Sequence, residues 1–216
     1  MKSRVIVSSV AKKFIMALSG AFMVLFLTFH GAMNVVSIFS DDGYRLICNF
    51  LGANWYAVIG SLVIAFFVAI HFIMAFVLSY KNYVARGCQR YAVTNHAVTW
   101  DLRNMIVIGL LVLGGLALHL YDFWFTMQFA ELCGRSSADG IDRLHWVFGN
   151  TQFSICYLAW LGVLFVHLAH GVPSVMQSIG WNNHKWVRRI DIIGKLFALA
   201  IVGMFAIVVV YYWLIY

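Results

Sequence analysis

Long apolar stretches dominate the pattern of hydrophobic and polar positions along the 216-residue chain. Short polar connections separate five of them, at residues 14–39, 56–80, 104–127, 150–177 and 192–216. Each stretch exceeds the ~20 residues that an α-helix needs to cross the hydrocarbon core of a bilayer. The pattern therefore predicts an all-α integral membrane protein with five transmembrane helices.

Composition agrees with this prediction and narrows the domain organisation. The chain is 63% hydrophobic and only 11% charged, which is outside the range of soluble globular proteins. The polar connections are too short for a separate folded module, so we predict one transmembrane domain over residues 1–216. The first apolar stretch is longer than the core of a signal peptide and lacks a small-residue cleavage site, so we interpret it as a helix. Pro173, the sole proline, predicts a kink in the fourth helix.

The charges are distributed unevenly between the two sides of the predicted bundle. Twelve of the 15 basic residues flank one side: Lys2, Arg4, Lys12, Lys13, Lys81, Arg86, Arg90, Arg103, Lys185, Arg188, Arg189 and Lys195. The positive-inside rule then places the N-terminus in the cytoplasm and the C-terminus outside, as in a multi-pass protein of a bacterial inner membrane. The net charge of +7 thus reflects topology and affinity for anionic lipid rather than nucleic-acid binding.

Four cysteines are present, without the CxxC or CxxCH spacing of common metal and haem sites. This spacing argues against an iron-sulfur site, a structural zinc site and a covalently attached c-type haem. Cys48 and Cys133 both fall in outer connections, and a disulfide between them is left open.

Histidines within the predicted helices are the candidate functional residues. Five of the eight histidines lie there: His30, His71, His119, His167 and His170. A single intramembrane histidine often only bonds a neighbouring helix, so each alone carries little weight. Their depths are more informative. With a rise of 1.5 Å per residue, His30 and His119 lie roughly 25 Å from the inner edge, and His71 and His167 roughly 15 Å from it.

The depths define two matched pairs, at levels about 10 Å apart. In an up-and-down bundle the first and third helices are diagonal neighbours, as are the second and fourth, so each pair faces across the core. Two facing imidazoles suit a haem with one axial ligand on each side. Tetrahedral zinc fits less well, and the lack of deep acidic residues weakens a proton-coupled transporter. Small residues one turn away, Gly171, Ala75 and Gly115, leave room for a flat ring.

Short patterns around these histidines resemble a known family. They are FHGAMN at 29–34, HFIMA at 71–75, LALHLYDFW at 116–124, and HLAHG at 167–171 followed by IGWN at 179–182. In this order they resemble the single-subunit, five-helix, dihaem cytochrome b anchor of succinate dehydrogenases and fumarate reductases, over nearly the whole chain. That family has four haem-binding helices and a peripheral fifth helix.

The resemblance implies a membrane anchor that passes electrons between an iron-sulfur subunit and a membrane quinone through two haems b. His30 and His119 would bind the outer haem, and His71 and His167 the inner one. The glycine four residues after His167 matches the family pattern and favours His167 over His170. A flavoprotein subunit with FAD and the iron-sulfur subunit would dock on the cytoplasmic face. The family suggests menaquinone as the quinone and a dimer of heterotrimers as the assembly.

The resemblance also suggests residues around the haems. Candidates to contact the inner haem or its propionates are His170, Lys13, Trp100, Arg103 and Gly171. Candidates for a quinone site near the outer surface are Asp41, Asp42, Tyr121, Asp122 and Trp124, because quinone chemistry needs a nearby acid or hydrogen-bond partner. Phe165 stands where some dihaem fumarate reductases have a glutamate for proton return, so that mechanism is not expected here.

Two other functions remain open at this stage. One is a different dihaem membrane cytochrome of the b561 type, although in that type the helices without histidines tend to lie at both ends of the chain. The other is a non-redox transporter or assembly protein in which the histidines only link helices. The direction of electron flow, succinate oxidation or fumarate reduction, is open as well.

Overall fold

A computed structural model describes residues 9–85, 100–181 and 184–215. All regular structure in these ranges is helical. The α-helices are α1 (Ser9–Phe39), α2 (Asp41–Phe50), α3 (Trp55–Ala85), α4 (Trp100–His119), α5 (Gln128–Leu132), α6 (Gly140–Phe148), α7 (Thr151–Ser178) and α8 (His184–Ile215). A π-helical turn, Leu120–Trp124, continues α4.

Five helical stretches are long and apolar enough to span a membrane, which confirms the predicted all-α five-helix class. They are Val10–Phe39, Trp55–Ala85, Asn104–Trp124, Thr151–Ser178 and Trp186–Ile215. The helices extend beyond the apolar stretches at their basic ends, where α3 continues past Lys81 and α8 begins before Arg188. Long basic side chains at such turns can keep their charge in water while the helix continues, so hydropathy alone ends the helices too early. α7 remains one helix through Pro173.

Three short helices, α2, α5 and α6, lie in the connections predicted to be on the outer side and were not themselves predicted. Side chains cap two of them: Ser40 Oγ accepts from the amide of Gly43, and Asp139 Oδ1 accepts from the amide of Ile141, each across 3.0 Å. Arg45 on α2 donates to Asp139 across 3.1 Å and so ties α2 to the start of α6. These caps stabilise helices too short to form alone.

The spanning helices form a bundle in which α1 packs along α3 and α7, and α4 packs along α7. α3 barely contacts α4. α1 and α4 are therefore diagonal neighbours, as are α3 and α7, in agreement with the up-and-down prediction. α8 lies outside this group of four but packs closely along α7 and against α1. Its Gly194 lets the helices approach, because an added Cβ there would lie 2.7 Å from Cγ of Pro173.

Cys48 and Cys133, the two cysteines considered for a disulfide, are both free thiols. Cys48 on α2 packs against α6, where a Cβ on Gly140 would lie 2.5 Å from its Sγ. Cys133 is exposed after α5. The two cysteines therefore have separate surroundings, and the disulfide left open by the sequence is not formed.

Candidate functional site

The outer histidine pair joins two diagonal helices. His30 lies on α1, and His119 is the last residue of α4. Their ring centroids are 5.9 Å apart, with the ring planes at 76°. Aromatic rings surround the pair: Phe26 and Phe205 lie 5.3 and 5.6 Å from His30, and Trp160 stacks on His119 at 6.1 Å, measured between centroids. The outer pair therefore lies in an aromatic part of the bundle.

The inner histidine pair joins the other diagonal. His71 of α3 and His167 of α7 have ring centroids 6.2 Å apart, with the ring planes at 70°. The structure thus brings His71 together with His167, the member of the FVHLAHG segment favoured by depth. His170 is half-buried and lies one turn closer to the inner end of α7.

Two glycines show how far apart the pairs are along the bundle. A Cβ on Gly20 of α1 would lie 3.3 Å from Cε1 of His71, so Gly20 marks the inner level on α1. A Cβ on Gly109 of α4 would lie 3.9 Å from Cε1 of His167 and marks the same level on α4. His30 and His119 each follow these glycines by ten residues. The levels are therefore about 15 Å apart along the helices, rather than the predicted 10 Å.

The separation of the rings fits a metal ion held between them. With a metal–nitrogen distance near 2 Å on each side, two imidazoles bound to one ion have centroids about 6.3 Å apart. The observed separations of 5.9 and 6.2 Å are close to this value. The described residues contain no group of three or more His, Cys, Asp or Glu suited to one metal ion. Two protein ligands for each ion is the requirement of a haem, whose macrocycle supplies the other four.

The surroundings of the Nδ1 atoms also fit a bound ligand. His167 Nδ1 is buried, and no described residue gives it a hydrogen bond. Nδ1 of His71 lies 3.2 Å from Ser19 Oγ, and Nδ1 of His30 lies 3.4 Å from Asn34 Nδ2. A buried polar atom without a partner is costly, so such an atom at a histidine pair fits a site built for a ligand. The donor set and its spacing both fit haem.

Two of the small residues predicted to leave room for a ring, Gly171 and Gly115, have different surroundings. A Cβ on Gly171 would meet nothing within 4 Å, which agrees with open space beside His167. Gly115, by contrast, lies against the indole of Trp160, which a Cβ at this position would overlap. The indole Nε1 donates to the carbonyl of Val112 across 3.1 Å. Gly115 therefore makes room for Trp160, the ring that stacks on His119, and not directly for a porphyrin.

A buried ion pair adjoins the outer histidines. Asp122, in the π-helical turn, is 1% exposed and accepts a hydrogen bond from the hydroxyl of Tyr157 across 2.9 Å. An Arg143 guanidinium nitrogen lies 3.6 Å from its other carboxylate oxygen. The Tyr157 ring also packs against His119. Sequence reasoning selected Asp122 but missed Tyr157 and Arg143; the signal for Arg143 was only that it is one of three arginines on the side predicted to be acidic.

The structure does not bring the other predicted quinone-site residues together with Asp122. Asp41 and Asp42 are exposed on α2, and Asp42 pairs loosely with Arg45 at 3.7 Å. Tyr121 is 66% exposed and stacks on Phe125. The Trp124 indole donates to Gln128 Oε1 across 2.7 Å.

The structure describes only some of the side chains that were predicted to contact the inner haem. Lys13 is exposed near the start of α1. Trp100 and Arg103 lie in the first turn of α4, and their side chains are outside the described part of the chain.

Comparisons with known proteins add no relative: no protein-family model, curated protein or solved structure matches the chain.

Proposed function

We propose that the chain is the membrane anchor and electron-transfer subunit of a succinate:quinone oxidoreductase, either a succinate dehydrogenase or a quinol:fumarate reductase. His30 and His119 would hold an outer haem b, and His71 and His167 an inner one. The observation that carries the proposal is the presence of two facing histidine pairs, at two depths, on the two diagonals of one bundle. Histidines that merely link helices have no reason to recur in this arrangement.

The haems would supply reversible one-electron chemistry at iron. The chain's own residues hold and orient them. Each diagonal pair presents one imidazole from either side, and the ring nitrogens are held within the bundle by packing from Phe26, Phe205 and Trp160 at the outer level. A spacing of about 15 Å between the levels divides a hydrocarbon core about 30 Å thick. Two sites at this spacing suit electron transfer between the two sides of the membrane.

The charge distribution supports the proposed partners and orientation. The basic ends of the spanning helices would face the cytoplasm of a bacterium, where the iron-sulfur subunit and the FAD-containing flavoprotein would dock beside the inner pair. Quinone, with menaquinone as the proposed species, would react nearer the outer pair. Asp122 and Tyr157 form a buried pair of an acid and a hydroxyl beside His119. This pair would exchange protons with the quinone.

A spectrum of the purified protein tests the haem proposal directly. The chain is expressed with its neighbouring subunits, purified in mild detergent, and its dithionite-reduced spectrum is compared with the oxidised one. We expect b-type bands and two haems per chain by pyridine haemochrome assay. A preparation without b-type bands would overturn electron transfer by this chain.

Copurification separates this proposal from a b561-type cytochrome. An affinity tag on the chain should bring down a flavin-containing subunit and an iron-sulfur subunit together with succinate:quinone reductase activity. Two haems without those subunits would favour a b561-type cytochrome instead.

A further inference from the structure

Ser19 is a buried polar residue on α1 that has no role in the proposed function as stated above. It is 2% exposed and faces His71 of α3. Its Oγ lies 3.0 Å from the backbone carbonyl of Met16 and 3.2 Å from Nδ1 of His71. The hydroxyl therefore connects the backbone of one spanning helix to a candidate ligand on its neighbour.

Counting protons fixes the direction of these two hydrogen bonds. A serine hydroxyl has one proton and two lone pairs, and a carbonyl oxygen can only accept. The contact with Met16 therefore takes the serine proton, and the oxygen of Ser19 is left as an acceptor toward His71. Nδ1 of His71 must then carry the ring proton. In this tautomer the neutral imidazole keeps the lone pair on Nε2, the nitrogen available to a metal.

The residue next to Ser19 fixes the position of the same ring. A Cβ on Gly20 would lie 3.3 Å from Cε1 and 3.7 Å from Nδ1 of His71. The first distance is tighter than an ordinary van der Waals contact, so α1 closely limits the ring at this point. Ser19 acts beside the Met16 carbonyl, which also accepts a hydrogen bond from His71, and Gly20 limits the place of the ring.

Two other candidate ligands, His30 and His167, lack an equivalent contact among the described residues. Nδ1 of His167 is buried without a partner among the described residues. Near His30 the neighbouring group is the amide nitrogen of Asn34, which already donates to the His30 carbonyl across 2.8 Å and cannot accept a proton. The inner pair therefore has two unequal members, and only His71 has a hydroxyl acceptor at Nδ1.

We propose that Ser19 is a positioning residue for the inner haem: its hydroxyl orients His71, selects the tautomer that leaves Nε2 free, and strengthens that nitrogen as a donor to iron. The inference rests on the proposed haem function. A hydrogen bond from the non-ligating nitrogen raises the basicity of a ligating histidine and so favours ferric over ferrous iron. Ser19 thus lowers the midpoint potential of the inner haem relative to a site without this acceptor.

The test compares wild-type protein with Ser19→Ala in the purified complex, using redox titration and the EPR spectrum of the oxidised haems. We expect both variants to contain two haems per chain. In Ser19→Ala the ferrous form of the inner haem should gain about threefold to tenfold over the ferric form. A tenfold change raises a one-electron midpoint potential by about 59 mV. The low-spin EPR signal of the inner haem should shift, because the His71 ring is less constrained, and the outer haem should not change.

Ser37→Ala is the matched control. Ser37 lies on the same helix, is also 2% exposed, and its Oγ donates to the carbonyl of Asn34 three residues back, across 2.7 Å. It repeats the backbone contact of Ser19, but its hydroxyl does not face a candidate ligand as Ser19 faces His71. We expect unchanged potentials and EPR signals in Ser37→Ala.

The outcomes separate this inference from the proposed function. Wild-type protein without b-type haem would overturn the proposed function and, with it, the role of Ser19. Wild-type protein with two haems, and a Ser19→Ala variant with unchanged potential and EPR signal, would overturn the role of Ser19 alone. If Ser19→Ala does not accumulate, Ser19→Cys keeps the size of the side chain but accepts hydrogen bonds only weakly, and the same shifts are expected.

Discussion

The hydroxyl of Tyr157 on α7 donates to the buried carboxylate of Asp122 across 2.9 Å, while the ring of the same tyrosine packs against His119. One side chain thus contacts both the ion pair at the outer end of α4 and a candidate haem ligand. The arrangement links the stability of the outer end of the bundle to the surroundings of the outer histidine pair.

Tyr157→Phe should destabilise the protein, because it leaves a buried carboxylate with one donor fewer. The expected loss in free energy of unfolding is about 1–3 kcal/mol. Thermal or denaturant unfolding in detergent measures it. Tyr80→Phe, at a tyrosine that is 67% exposed, is the control and should have little effect. Equal stability of the two variants would show that the Asp122 contact contributes nothing.

Histidine substitutions should remove the proposed haems one at a time. Each proposed haem would be bound by two histidines of the chain. His30→Ala or His119→Ala should therefore remove or perturb the outer haem only. His71→Ala or His167→Ala should do the same to the inner haem. The haem-to-protein ratio and the reduced-minus-oxidised spectrum report the loss.

His170→Ala is the reference for this series, since His170 lies three residues from His167 on the same helix. It should retain two haems per chain. A variant at His170 that lost a haem, together with one at His167 that kept both, would reverse the assignment of the ligand on α7.

Gly115→Ala should disturb the outer site through Trp160. An added methyl group would overlap the indole, which must move away from its place on His119. Overpacking of this kind typically costs about 1–3 kcal/mol. We therefore expect lower thermal stability and an altered spectrum of the outer haem.

The adjacent Gly114→Ala is the control, because a Cβ at Gly114 meets nothing within 4 Å. It should leave both measurements unchanged. If Gly114→Ala lowered stability as much as Gly115→Ala, contact with Trp160 would not be the cause of the loss, and helix propensity would not explain it either, because alanine favours a helix over glycine.

Cys48, in the short outer helix α2, should react slowly with maleimides near neutral pH. Burial, together with the negative charge of Asp139, raises the pKa of its thiol to about 11, and a hydrogen bond with Tyr44 opposes this only in part. The thiolate is the reactive form, so its fraction at pH 8 is about one in a thousand. The labelling rate should rise about tenfold for each pH unit until the pH approaches 11.

Peptide mass spectrometry can follow the labelling of Cys48 and the exposed Cys133 in the same sample. Fast modification of Cys133 shows that the reagent is active on the outer side. Labelling of Cys48 at a similar rate at pH 8 would contradict the buried, protonated state of its thiol.

The pairing of the histidines was predictable because helical rise converts sequence position into depth. The spacing between the levels was underestimated because depth was counted from the nearest charges, whereas basic residues occur at varying distances from the membrane edge. Contacts such as that between Gly20 and His71 fix the true levels, and these contacts depend on how each helix is rotated. A single sequence does not specify that rotation.

Other features escaped prediction for related reasons. Ser19 and Trp160 each stand in an apolar stretch, where one small polar or aromatic residue looks like ordinary filler. Their roles depend on which neighbouring helix they meet. The helices α2, α5 and α6 are short, and caps and long-range ion pairs such as Arg45 with Asp139 support them more than an apolar period does.

The packing of α3 has a consequence for assembly. This helix lies along α1, barely contacts α4, and has no buried residue in its most apolar 18-residue window. α1, α7 and α8, by contrast, hold one another through extensive side-chain packing. Under the proposed function, the inner haem would be the main tie between α3 and α7, through His71 and His167. In cells starved of haem, α1 should then be the main support of α3, and membrane proteases should degrade the chain faster than in cells supplied with haem.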